Sequence, residues 1–125
     1  MHHVKAWRSV LKGYLDRIKM KKCDKTINLL RYSPIEFKDH IEKMFSDDIS
    51  WDNYVNWHID HIVHVTLFKP ETSCHIVNSL ENLRPLDSKL NISRHNNIDK
   101  DCIDILYKYK DYIKDEYQEF IQLKL

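Results

Sequence analysis

With 125 residues, 42% of them hydrophobic, 31% charged and only one glycine, the chain can build one compact core, and it lacks the composition of a disordered or low-complexity segment. No apolar run is long enough to span a bilayer and the first residues lack the apolar stretch of a secretory signal, so a cytoplasmic, intracellular protein with no membrane partner is expected. The cysteines Cys23, Cys74 and Cys102 lie far apart and form no C-x-x-C pair, which excludes a four-cysteine zinc site and favours free thiols over a disulfide framework.

The formal net charge is only +1, but the charge is unevenly spread. Lys5, Arg8, Lys12, Arg17, Lys19, Lys21, Lys22, Lys25 and Arg31 crowd the start of the chain, where the only acids are Asp16 and Asp24. A basic end on an acid-bearing body suits a protein that holds a polyanion with one part and does chemistry with another. A solvated, lysine-rich helix face explains the same charges equally well. His2 and His3 are assigned no role.

In chain order, Val4, Trp7, Val10, Leu11, Tyr14, Leu15 and Ile18 recur at helical spacing, which predicts an N-terminal helix. Residues 19–25 break that pattern and read as an exposed basic turn, followed by a short helical turn over 26–30. Ser33-Pro34-Ile35-Glu36 is a helix start, with a capping serine, a proline at the first helical position and a glutamate three residues after the serine. Phe37, Ile41, Met44 and Phe45 supply its stripe, and the helix is expected to end near 46–48. Residues 51–54 read as an irregular connection, with Trp51 and Trp57 as core anchors rather than base-stacking platforms.

The β-branched stretch 57–65 predicts a strand, residues 68–78 a loop with a helical turn, and 80–86 a second strand that Pro85 confines to an edge. A short helix over 88–96 completes a ββα order. From about 99 to 123, Cys102, Leu106, Tyr109, Ile113, Tyr117 and Phe120 predict one long amphipathic helix, packed on its own chain or on a second copy. The organisation is one domain over 1–125, with a basic helical segment over 1–31, a core over 32–98 and a helical end over 99–125. The fold class is α+β.

Asp60 and His61 on the first strand, Asn82 near the second and Asn91 on the short helix carry the chemistry that such a unit would gather. Hydrolysis of a phosphodiester needs hard oxygen ligands for a cation, a base that works near neutral pH, and positive charge where the leaving oxygen gains its own. Neighbours on a regular strand point to opposite sides, so a twist or bulge is expected at Asp60 and His61.

Trp57-His58-Ile59-Asp60-His61-Ile62, then Glu81-Asn82-Leu83-Arg84-Pro85-Leu86, then Asn91, resemble the HNH endonuclease family, above all its small phage-type members. Leu29-Leu30-Arg31-Tyr32-Ser33-Pro34 with Phe37, His40-Ile41-Glu42, Phe45 and Trp51-Asp52-Asn53 extend the resemblance over roughly residues 26 to 96. The resemblance implies a ββα-metal core flanked by helices, one divalent cation (Mg²⁺, or Mn²⁺) and hydrolysis of DNA that leaves a 5′-phosphate. It makes His61 the general base, Asp60 and Asn91 the metal ligands, and Asn82 a brace for the loop between the strands.

The chain departs from the family at His64, where proline is common, at Arg94, where lysine is common, and at His95, where glycine is common. No structural zinc is expected, because the paired C-x-x-C motifs of many relatives are lacking. His58 and His95 are possible additions to the site. Lys19, Lys21, Lys22 and Lys25 are the candidates for sequence-independent contact with the DNA backbone, and Arg84 and Arg94 contact phosphates or form ion pairs. The alternatives are a non-catalytic DNA-binding module on the same scaffold and, more weakly, a helical interaction protein. Monomer or homodimer, and nicking or double-strand cleavage, stay open.

Overall fold

A computed structural model describes residues 2–88 and 100–122. It combines helices with a small two-stranded antiparallel sheet. The basic N-terminal segment forms helix α1 (His2–Ile18), which buries Ala6, Trp7, Val10, Leu11 and Tyr14, the positions that helical spacing puts on one side. Trp7 is fixed in depth as well as direction, since its Nε1 donates to the backbone oxygen of Tyr32 at 3.1 Å. After α1, residues 19–25 are all exposed, and Lys19 adopts a left-handed backbone with φ of 58°. Helix α2 (Thr26–Leu30) follows and stops at Arg31, also left-handed, with φ of 68°.

Helix α3 (Pro34–Glu42) starts as its sequence predicts. Ser33 Oγ accepts from Glu36 N at 3.2 Å while Ser33 N donates to Glu36 Oε1 at 3.0 Å, so two otherwise orphaned amides are satisfied reciprocally. The helix ends at Glu42, before the expected 46–48. There the backbone tightens, with Met44 N bonding Ile41 O and Phe45 N bonding Glu42 O, and Phe45 turns inward to meet Trp51 and Trp57 edge-on at 5.4 and 5.7 Å. The connection over 51–56 is a 3-10 turn.

Strand β1 (Trp57–His61) pairs with β2 (Leu83–Asp87) in a regular register from Trp57 opposite Asp87 to His61 opposite Leu83. Both strands are shorter than expected. Val63 and Val65 leave the ladder and are buried beyond it, and residues 80–82 form a 3-10 turn instead of strand. Pro85 faces Ile59 in this two-stranded sheet, where a missing amide proton breaks no second ladder. Between the strands sits the one-turn helix α4 (Cys74–Val77). The short helix expected over 88–96 lies, from residue 89 on, outside the described residues.

The single C-terminal helix expected from about 99 to 123 is instead broken. Helix α5 (Lys100–Lys108) gives way to 3-10 turns at Lys110–Tyr112 and Asp115–Tyr117 before helix α6 (Gln118–Gln122). A tertiary pairing wins over helical propensity here. Ile113 forms a β-bridge with Phe68, Lys69 N bonds Tyr112 O at 2.8 Å, and Lys114 N bonds Leu67 O at 2.9 Å. Leu106, Tyr109 and Ile113 are buried in their own chain, which takes these stripe residues from any dimer face.

Two apolar clusters result. One gathers Trp7, Val10, Leu11, Leu30, Phe37, Ile41, Trp57 and Leu83, and the other Tyr14, Val63, Leu67, Phe68, Val77, Leu106, Tyr109 and Ile113. Leu15 and Cys74 pack against both. Among the described residues no helix is long and apolar enough to cross a membrane.

Two predictions follow from the C-terminal clasp. Ile113→Ala should cost about 3 kcal/mol in chemical denaturation, the usual loss for a fully buried branched side chain. Glu81 accepts from Tyr109 Oη at 2.7 Å and pairs with Lys108. Its partial burial alone would raise the pKa, but the bonds from Lys108 and Tyr109 outweigh it and hold the carboxyl below the usual glutamate range. A depressed carboxylate stabilises the fold above its ordinary pKa and loses that contribution as pH falls through the depressed value. Melting temperatures of Glu81→Gln should therefore lie below the native protein's at neutral pH, and the gap should narrow below about pH 4.

Candidate functional site

The alternation of side chains along a strand decides where Asp60 and His61 can go. Of the twist or bulge expected here, the five-residue ladder has no bulge, and its regular register sends the two side chains to opposite faces of β1. Asp60 meets its cross-strand partner Arg84, whose Nε donates to Oδ2 at 3.1 Å, and both side chains are nearly enclosed, at 14% exposure for Arg84 and 8% for Asp60. Arg84, expected at a DNA phosphate or in an ion pair, is engaged in the ion pair.

His61, at the end of β1, turns toward α4. Its Nε2 lies 2.7 Å from Oδ1 of the fully buried Asn78. Burial pushes the pKa of its imidazole below the ordinary histidine value, and the Arg17 charge adds to this, while the Asn78 bond and the nearby Asp60 carboxylate pull the other way. The net effect is an imidazole less basic than an ordinary histidine. The Asp60 carboxylate is thus close enough to be felt by His61 although the two point apart.

Asn82 is fully buried, and all its side-chain polar atoms are bonded. Oδ1 accepts from Val63 N at 2.7 Å, and Nδ2 donates to Val63 O at 3.1 Å and Val77 O at 2.8 Å. Its backbone oxygen accepts from Ile62 N at 2.8 Å. The amide thereby closes the chain leaving β1 onto the chain entering β2. Asn91, Arg94 and His95 lie outside the described residues.

Helix α1 divides two grooves. On one flank a groove of about 590 Å³ is lined by Ser9, Gly13, Arg17, Tyr54, Trp57, exposed His58 and His61. Arg17 Nη1 there lies 3.2 Å from His64 Nε2. On the other flank a groove of about 910 Å³ is lined by Lys5, Arg8 and Lys12 of α1 and by Lys21, Lys22 and Lys25 of the loop. Lys19 is exposed but does not line it. Trp57 is 1% exposed and belongs to the core, where it cannot stack on a base.

Sequence reasoning missed Asn78, which no motif marks, and it did not see that Lys5, Arg8 and Lys12 share a groove with the loop lysines. Helical spacing carried that second signal, since residues 5, 8 and 12 share one face.

Asp60 is a hard oxygen donor of the kind a divalent cation prefers. Among the described residues, no group of three or more His, Cys, Asp or Glu is placed to hold a metal ion. Any cation at Asp60 would share the carboxylate with Arg84 and draw its other ligands from outside that set. No family model matches the chain, and no curated protein or solved structure is significantly similar to it.

Asn82→Ala would leave a buried amide hydrogen and two carbonyls without partners. It should cost about 3 kcal/mol by denaturant titration, well beyond an ordinary surface change.

Proposed function

We propose that the chain is a divalent-metal-dependent DNA endonuclease or nickase of the HNH type, built on a ββα-metal core. The observation that carries this reading is His61. It is half-buried, its basicity is lowered by burial, and it opens onto a groove beside a strand whose neighbouring residue is an enclosed carboxylate. The motif resemblance at residues 57–62, 81–86 and 91 supports it independently.

In this reading His61 takes a proton from the attacking water, and its low basicity lets it do so at neutral pH. Asn82 holds the loop after β1 so that the ring is presented rather than mobile. Arg84 holds the Asp60 carboxylate in place through the ion pair across the strands. Asp60 and Asn91 would hold one Mg²⁺ or Mn²⁺, which when bound supplies positive charge to the phosphate and the departing oxygen. Lys21, Lys22 and Lys25, with Lys5, Arg8 and Lys12 across the groove, bind the nucleic-acid backbone through charge, without reading sequence.

A second reading has one observation in its favour. The grip of Arg84 on Asp60 competes with a cation for that carboxylate, as in a scaffold that binds DNA without cutting it.

Supercoiled plasmid with Mg²⁺ or Mn²⁺ separates the two. Cleavage should appear with metal, vanish with chelator, and fall by at least about a hundredfold in His61→Ala. Full activity in that variant would remove His61 from the reaction. Salt-sensitive binding with no strand breaks under any metal would establish the binding module instead.

A further inference from the structure

Asn78 is 0% exposed, and its side-chain amide has a forced orientation. Nδ2 sits 2.9 Å from the backbone oxygen of Cys74 and 3.6 Å from Cys74 Sγ. A carbonyl oxygen can only accept, so the atom facing Cys74 must be the NH₂ group, and the atom facing His61 must be the amide oxygen. Reversing the amide would set two acceptors against each other at Cys74. The backbone is pinned as well, with Asn78 N bonded to Cys74 O at 3.0 Å and Asn78 O accepting from Tyr32 Oη at 2.7 Å. An oxygen fixed at 2.7 Å from His61 Nε2 demands a hydrogen on that nitrogen.

We propose that Asn78 is a positioning residue that locks His61 into the tautomer carrying its hydrogen on Nε2, which leaves the Nδ1 lone pair to receive the proton from water. The tautomer of one ring nitrogen is set by the bond the other makes. Here the setting bond comes from a side chain that α4 holds rigidly, rather than from solvent. The assignment of the ring as a base rests on the nuclease reading above, whereas the tautomer does not.

The test is a long-range ¹H–¹⁵N spectrum of the labelled, metal-free protein at neutral pH, compared with Asn78→Leu, which keeps the volume and removes the acceptor. The native His61 should show a protonated, pyrrole-like Nε2 and an unprotonated, pyridine-like Nδ1. The folded variant should lose that preference, and its kcat on plasmid should fall about tenfold or more with KM nearly unchanged. A native ring with its hydrogen on Nδ1 would overturn the proposal, and this measurement stands even if the variant does not fold. A folded variant that keeps the Nε2 hydrogen would overturn it too. The expected tautomer in a protein that never cuts DNA would sink the nuclease reading while leaving the role of Asn78 intact.

Discussion

One buried amide holds together the part of the molecule that carries the candidate site. Asn82 bonds to Val63 twice and to Val77 once, and its backbone oxygen takes Ile62. Those contacts tie the end of α4 to the point where the paired strands β1 and β2 end, at His61 opposite Leu83. A two-stranded sheet is marginal alone and needs packing on another element. The Asn82 clamp makes the loop between the strands part of the sheet's support, because it commits Val63 and Val77 to the same buried cluster. His61 stands two residues before one arm of that clamp, and Asn78 one residue after the other.

Polar groups buried this deeply are costly unless every atom is matched. The site meets that condition through a short series of amides. Asn82 satisfies backbone groups, Asn78 satisfies Cys74 and His61, and the Tyr32 hydroxyl closes the Asn78 carbonyl. The Asp60 carboxylate is matched by Arg84 across the strands. Such a network restricts the imidazole by geometry rather than by bulk, so the groove beside it stays open.

Much of this was legible in the sequence, where local rules act alone. The capping box at Ser33 and Glu36, the face of α1 and the exposed basic turn follow from nearest-neighbour chemistry, and the structure has all three. Elements were misread where a distant partner decides. The stripe from Leu106 to Ile113 has a helical period, yet Ile113 is drawn into a β-bridge opposite Phe68, held by the bonds of Lys69 to Tyr112 and Lys114 to Leu67, and the helix breaks, since no local pattern encodes the bridge. The ends of β1 and β2 retreat because Val63 and Asn82 bond each other instead of extending the ladder. The candidate site divides in the same way. Asp60, His61 and Asn82 stand out by motif, whereas Asn78 looks like any loop asparagine until α4 brings it to the ring. The twist or bulge expected at Asp60 came from requiring both side chains on one side, and the register that pairs Asp60 with Arg84 runs through without a bulge.

Helix α1 contributes to both apolar clusters, with Trp7, Val10 and Leu11 in one and Tyr14 in the other, while Ser9 borders both grooves. Seated in both clusters, the helix sets the two grooves apart by its own thickness, about 10 Å with side chains. It therefore acts as a ruler. The cationic trough and the imidazole lie on opposite flanks of it, and a polymer touching both has to bridge that interval.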